Sequence, residues 1–174
     1  MDATIEAMIN ELSQEAATTK RLLERVPEGQ LSWRPHSKSM TLGQLALHVA
    51  STPNDLIRLA QLEEFDASMA NFEPAAPTSK DQILSAFDAS IPGAVAYLRT
   101  LTTETAGANW RLTLRGKEVF TMPRMGLLRS LMLNHWYHHR GQLSVYLRLL
   151  GVPLPVIYGR SADENPFAEE ASRA

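Results

Sequence analysis

The sequence predicts an all-α protein, a four-helix bundle with a short β-hairpin inserted before the last long helix. Three observations carry this reading. Four segments repeat apolar residues at helical spacing. Capping, proline and glycine signals bound these segments. One stretch between the third and fourth breaks the helical period and places apolar residues on either side of a polar turn. The chain has 174 residues, 44% of them hydrophobic, which suits a single domain over residues 1–174 with a core of its own.

The first helix is expected over about Ala3–Val26, where Ile5, Met8, Ile9, Leu12, Ala16, Leu22 and Leu23 recur on one face. It stops at "VPEG", a proline and a glycine close together. After the loop "QLSWRPHSKSM", Thr41 and Gln44 have the spacing of a capping box. Leu45, Val49, Leu56 and Leu59 carry a second helix from there to about Glu64. Pro53 lies inside it, removes the hydrogen bond to the Val49 carbonyl, and predicts a kink. Ser79 and Gln82 offer a second capping box, opening a third helix over about Ser79–Thr103 with Ile83, Phe87, Val95 and Leu98 inward. Pro92 is expected to bend or split it.

In "NWRLTLRGKEVFTMP", Leu112, Leu114, Val119 and Phe120 flank the polar "RGKE", which predicts the hairpin, with an extended loop as the alternative because the alternation is imperfect. Pro123 then suits the first turn of a fourth helix ending near Leu150, with Gly151 as its stop. The tail is expected to pack on the bundle at first and to fray from about residue 165.

Bulk properties narrow the function. Net charge is −2 with scattered Lys and Arg, so no basic footprint for nucleic acid is present. No apolar run is long enough to span a bilayer. The first residues are acidic rather than basic-then-apolar, unlike a secretory signal. Cysteine is absent. Together these suit a cytoplasmic protein without disulfides, and they require any metal site to be built from His, Asp, Glu or Asn.

The chain has five histidines, and three of them fall in "NHWYHHRGQ". At about 100° per residue, His135 and His139 lie within about 30° of the mean direction of the stripe Leu128, Leu131, Met132, Leu143, Tyr146, Leu149 and Leu150. His138 lies roughly 80° away, at the edge. Arg129, Ser130, Tyr137, Arg140, Ser144 and Arg148 fall on the opposite side. An i, i+4 pair of imidazoles can share one metal ion, and two inward histidines without a partner would carry a desolvation penalty. On the second helix, His48 sits beside the inward Leu45, Val49 and Thr52. It is favoured as third ligand over the loop residue His36, because a helix holds a ligand more rigidly. Three histidines leave coordination positions open for water or substrate. Trp136 follows His135 where the zincin motif needs Glu, which disfavours metalloprotease chemistry. Gln142 and Tyr146 are candidate pocket residues. Asp55, two turns beyond His48, is a candidate to orient an imidazole.

The segments "LNHWYHHRGQLSVYLRLLGVPLPVIYGRSADE" and "RPHSKSMTLGQLALHVA" resemble the DinB/YfiT-like family and bracket roughly Leu31 to Glu164; the first and third helices match only in pattern. The resemblance implies a bundle with non-sequential helix order and a divalent metal held by His48, His135 and His139. It implies homodimers, and relatives that are metal-dependent transferases or isomerases using low-molecular-weight thiols, or hydrolases. Arg160 departs from it, since relatives often have proline there. The expected function is therefore a metal-dependent thiol transferase or hydrolase acting on a small molecule, with Zn²⁺ or Ni²⁺ as the metal and a thiol as cosubstrate. The alternative is a non-catalytic, stress-related bundle that binds a metal or ligand without turnover.

Overall fold

The computed structural model describes residues 2–71 and 73–166. Six α-helical pieces carry the described chain: α1 (Ala3–Leu23), α2 (Leu42–Ala60), α3 (Lys80–Leu98), the short α4 (Thr103–Gly107), α5 (Arg124–Leu127) and α6 (His135–Leu149). A π-helical stretch, Leu128–Asn134, joins α5 to α6 without a break. Strands β1 (Glu64–Asp66), β2 (Asn109–Leu114) and β3 (Lys117–Pro123) make one small sheet in that order. The expected tail from about residue 165 lies almost wholly outside the described residues. None of the described helices is long and apolar enough to cross a membrane.

The local signals act as their chemistry requires. All seven residues predicted inward on α1 are buried. Thr41 and Gln44 close their capping box reciprocally at 3.2 and 2.9 Å. The preceding loop supplies the next partners: the Leu42 and Gly43 N–H groups donate to the carbonyls of Trp33 and Leu31, which satisfies donors that a helix start leaves open. Ser79 caps α3 by accepting from the Gln82 N–H at 3.1 Å, but the Gln82 Oε1 accepts from the Thr78 N–H at 2.9 Å, so the expected second box closes on one side only. Pro92 does not split α3, which runs through it.

The helices pack in a non-sequential order. α2 lies against α3 and α6, and α3 also packs on α1. α1 reaches α6 through side chains, including the Glu15–Arg140 ion pair and a Tyr137 hydroxyl donating to Glu11. The order around the bundle is thus α1, α3, α2, α6, as the family resemblance implies.

Three features differ from the sequence expectation. The second helix ends at Ala60 rather than near Glu64. Its final carbonyls are taken by side chains from elsewhere. Trp110 Nε1 donates to Leu59 O, and the Tyr97 hydroxyl and Arg124 Nε donate to Ala60 O. The freed Glu64–Asp66 pairs in parallel with Arg111–Thr113 as β1, a strand the sequence reading placed in no sheet. The hairpin does form, over the predicted stretch of residues 109–123, and turns at Arg115 and Gly116, both with positive φ. The Asp66 carboxylate accepts from both turn N–H groups at 3.0 and 2.8 Å, so the non-local strand and the turn support each other.

The last long helix is the third difference. A π turn holds more residues than an α turn, so an extrapolation at a uniform 100° drifts once the π segment intervenes. Leu128, Met132 and Leu143 of the predicted stripe are buried, but Leu149 is 61% exposed. Leu133, Trp136, Arg140 and Leu147 are buried instead. Arg140, predicted on the polar side, is 1% exposed. It is stable there because Glu15, Thr19 and the Tyr158 hydroxyl satisfy its guanidinium.

Candidate metal centre

His48 projects from the middle of α2, and His135 and His139 from the first two turns of α6, immediately after the π segment. The fold brings them to one place. The Nε2 atoms of His48 and His135 lie 3.1 Å apart. Ring centroids are 5.3 Å apart for His48 and His135, 4.5 Å for His48 and His139, and 4.4 Å for His135 and His139. One ring nitrogen from each lies within 4.8 Å of the other two, and all three residues are half-buried.

Burial is the main force on their protonation. It pushes the His48 imidazole down to about 4, with the neighbouring His139 and His135 adding to the effect. His135 is lowered by burial, then by His139 and His138. His139 is also lowered by burial, although its bond to Gln142 opposes the shift. Neutral imidazoles that converge their nitrogens are what a divalent cation requires of a nitrogen site.

Gln142 sharpens the fit. Its Oε1 lies 2.7 Å from His139 Nδ1. A carbonyl oxygen only accepts, so Nδ1 carries the proton and Nε2 keeps its lone pair free for a cation. Gln142 is thus an exposed residue placed to orient His139. Tyr146 is half-buried. Its hydroxyl donates to the Met40 carbonyl at 3.3 Å and its ring packs edge-on to Trp33 at 5.7 Å.

His48 lines a cavity of about 770 Å³ that runs along α2. Leu47, Leu59 and Phe65 give it apolar wall, while Asp55 and Arg58 bring charge. Asp55 thus borders the cavity, but none of the described hydrogen bonds joins it to an imidazole, contrary to the expected orienting role. His138 is exposed, with its ring 4.9 Å from that of His139. His36 is an exposed loop residue whose Nδ1 accepts from the Lys38 N–H. Arg160 is exposed and does not line this cavity.

With this geometry in view, the comparisons with known proteins converge. The model of the DinB family matches residues 1–170. The chain belongs to the DinB family. Among DinB relatives, the uncharacterized protein YrdA of Bacillus subtilis is 28% identical over 170 residues, covering 94% of this chain and 93% of that protein. A DinB-like crystal structure from Bacillus cereus superposes with a TM-score of 0.68 at 23% identity, covering 88% of this chain and 97% of the other. A DinB-family structure from Exiguobacterium sibiricum gives 0.65 at 25% identity, covering 90% and 97%. The DinB fold thus accounts for the helical architecture with its small β insert.

Two residues of this DinB-family site escaped the sequence reading. Trp136 and Arg140 each follow a histidine and each is buried. Trp136 Nε1 donates to the Val49 carbonyl at 2.8 Å. The signal was present: Pro53 leaves that carbonyl without its helical partner, and a buried carbonyl needs a donor.

The lowered His48 pKa predicts a pH dependence for metal-free protein. The unfolded histidine, near 6.5, protonates before the folded one does, so stability falls as pH drops from about 6.5 towards 4. Solvent access reduces the His48 share to on the order of 1–2 kcal/mol. Thermal melts at pH 7 and pH 4.5 check this: His48→Asn should shrink the loss of Tm seen in the parent. An equal loss in both would assign the acid sensitivity elsewhere.

Proposed function

We propose that this DinB-family protein is a metal-dependent enzyme, with His48, His135 and His139 as ligands to a divalent cation. It transfers a thiol to, or hydrolyses, a small molecule held in the cavity along α2. The observation that carries the reading is the convergence of three half-buried, neutral imidazoles beside that cavity. The three imidazoles would hold such a cation, which when bound would supply Lewis-acid chemistry, polarising a carbonyl or lowering the pKa of a thiol or water. Imidazole ligands suit Zn²⁺ and Ni²⁺ alike.

The chain's own residues bind and orient. Gln142 holds the His139 tautomer that presents Nε2. Leu47, Leu59 and Phe65 exclude water from an apolar part of the substrate. The Gln44 side chain donates to the Pro74 carbonyl at 3.0 Å and ties the loop bordering the cavity to α2.

The test is metal analysis of protein purified without an affinity tag, followed by a screen of low-molecular-weight thiols against electrophiles and of hydrolysable esters and amides. Turnover lost on metal removal and restored by its return is the expected result. Stoichiometric metal without turnover across the screen would favour the non-catalytic binding module. A narrower prediction concerns Gln142. Gln142→Ala should weaken metal binding by about 10–100-fold in competition with a chromogenic chelator, with little change in the metal-free Tm. Unchanged affinity would remove Gln142 from the site.

A further inference from the structure

The position of Pro53 in the middle of α2 looks like a defect, yet the interhelical contact built on it lies one residue from two of the three histidines. Proline has no N–H, so the Val49 carbonyl loses its partner within α2. Trp136 supplies the replacement: its ring is fully buried and its Nε1 donates to Val49 O at 2.8 Å. Val49 follows His48, and Trp136 follows His135. The same bond therefore joins the backbone beside one imidazole to the side chain beside the other, where the two Nε2 atoms stand 3.1 Å apart.

The rest of the interrupted turn is also held from outside or by side chains. The Asn54 N–H donates to Ser90 Oγ of α3 at 3.0 Å. The Thr52 hydroxyl donates to the His48 carbonyl at 2.6 Å. Gly93 of α3 sits so close that a Cβ there would meet Asn54 Oδ1 at 2.9 Å. The altered turn is thus clamped between α3 and α6 rather than left to flex.

From this we infer that Trp136 and Pro53 are positioning residues for the metal centre: the carbonyl freed by Pro53 is the socket for the Trp136 indole, and that contact fixes the register of α6 on α2 that brings His135 to His48. The inference rests on the three-imidazole reading of the site and adds the device that assembles it. Apolar packing alone is non-directional and tolerates small slides of one helix on another. A buried N–H···O bond does not, because a shift of about 1 Å breaks it.

Two variants test the inference from opposite sides. Trp136→Phe keeps an aromatic ring in the core and deletes the donor. Pro53→Ala keeps the donor but restores an N–H that draws the Val49 carbonyl back along the helix axis. Both should weaken Co²⁺ or Zn²⁺ binding about tenfold, measured by chelator competition. Both should shift the visible absorption of the Co²⁺ form. Pro53→Ala should do so while its metal-free Tm holds or rises, since a helix interior prefers alanine. Falling affinity at undiminished stability is a result that a merely structural role does not produce.

A metal-free readout separates this inference from the proposed function. Ring-to-ring NOEs between His48 and His135 should be present in the parent and lost in both variants. Retained NOEs and parental affinity in both variants would overturn the positioning role. A parent that binds no metal, but whose NOEs still depend on Trp136 and Pro53, would sink the metal reading and leave the register device supported.

Discussion

His135→Ala is expected to leave the protein metal-free after dialysis against a chelator, under conditions where the parent retains one divalent ion per chain. His135 is the ligand whose loss is most informative. It opens α6 directly after the π segment, and its Nε2 is 3.1 Å from that of His48. Removing it leaves two imidazoles, one on each of two helices, without the i, i+4 pair that α6 provides. The effect has a thermal counterpart. A ligand at one hundred times its Kd stabilises the folded state by about 2.7 kcal/mol. At about 2–4 °C per kcal/mol for a chain of this size, the parent should melt roughly 5–10 °C higher with saturating metal. The variant should show no such rise. Metal content unchanged by the substitution, or a parent that never holds metal, would remove the three-histidine centre. His138→Ala is the matched control and should keep the metal, because His138 is exposed at the edge of the cluster.

Arg140→Ala should cause the largest loss of stability of any single change considered. The guanidinium is buried and ion-paired to Glu15 at 2.5 Å. It also donates to Thr19 Oγ1 at 3.1 Å, to the Glu15 carbonyl at 3.3 Å and to the Tyr158 hydroxyl. The rings of Tyr137 and Tyr158 each lie 5.1 Å from it, within cation–π range. Deleting one partner of a buried pair costs about 3–5 kcal/mol, because the other charge stays behind uncompensated. The expected fall in Tm is on the order of 6–20 °C. The double variant Arg140→Met with Glu15→Leu should recover much of it, since neither charge then remains buried alone. A single variant within 2 °C of the parent, on the same ~2–4 °C per kcal/mol scale, would show that the network contributes little. Because Arg140 follows His139, the experiment also asks how firmly α6 must be held to α1 for the imidazoles to meet.

What the sequence carried was the information contained in single helices. Helical period picked out every buried residue expected on α1, because one face of one regular helix is a local property. The box at Thr41 and Gln44 closed as read, since its partners are three residues apart. The same locality made the i, i+4 pair His135 and His139 legible, and inward phase on α2 pointed to His48.

The tertiary structure decided whatever depended on partners far along the chain. β1 exists because Arg111–Thr113 offers it an edge, and nothing within Glu64–Asp66 announces that pairing. Arg140 is buried because Glu15, 125 positions earlier, neutralises it; read within its own helix, a charged residue belongs on the polar face. The π segment shifted the last helix away from uniform helical phase, which left Leu149 exposed and put Trp136, Arg140 and Leu147 inside. Hydrophobic period records which way a side chain faces along one helix axis. It does not record the neighbour that waits there, and the histidine centre depends on both: residues phased by the sequence, and the Pro53–Val49–Trp136 contact that only the packed helices supply.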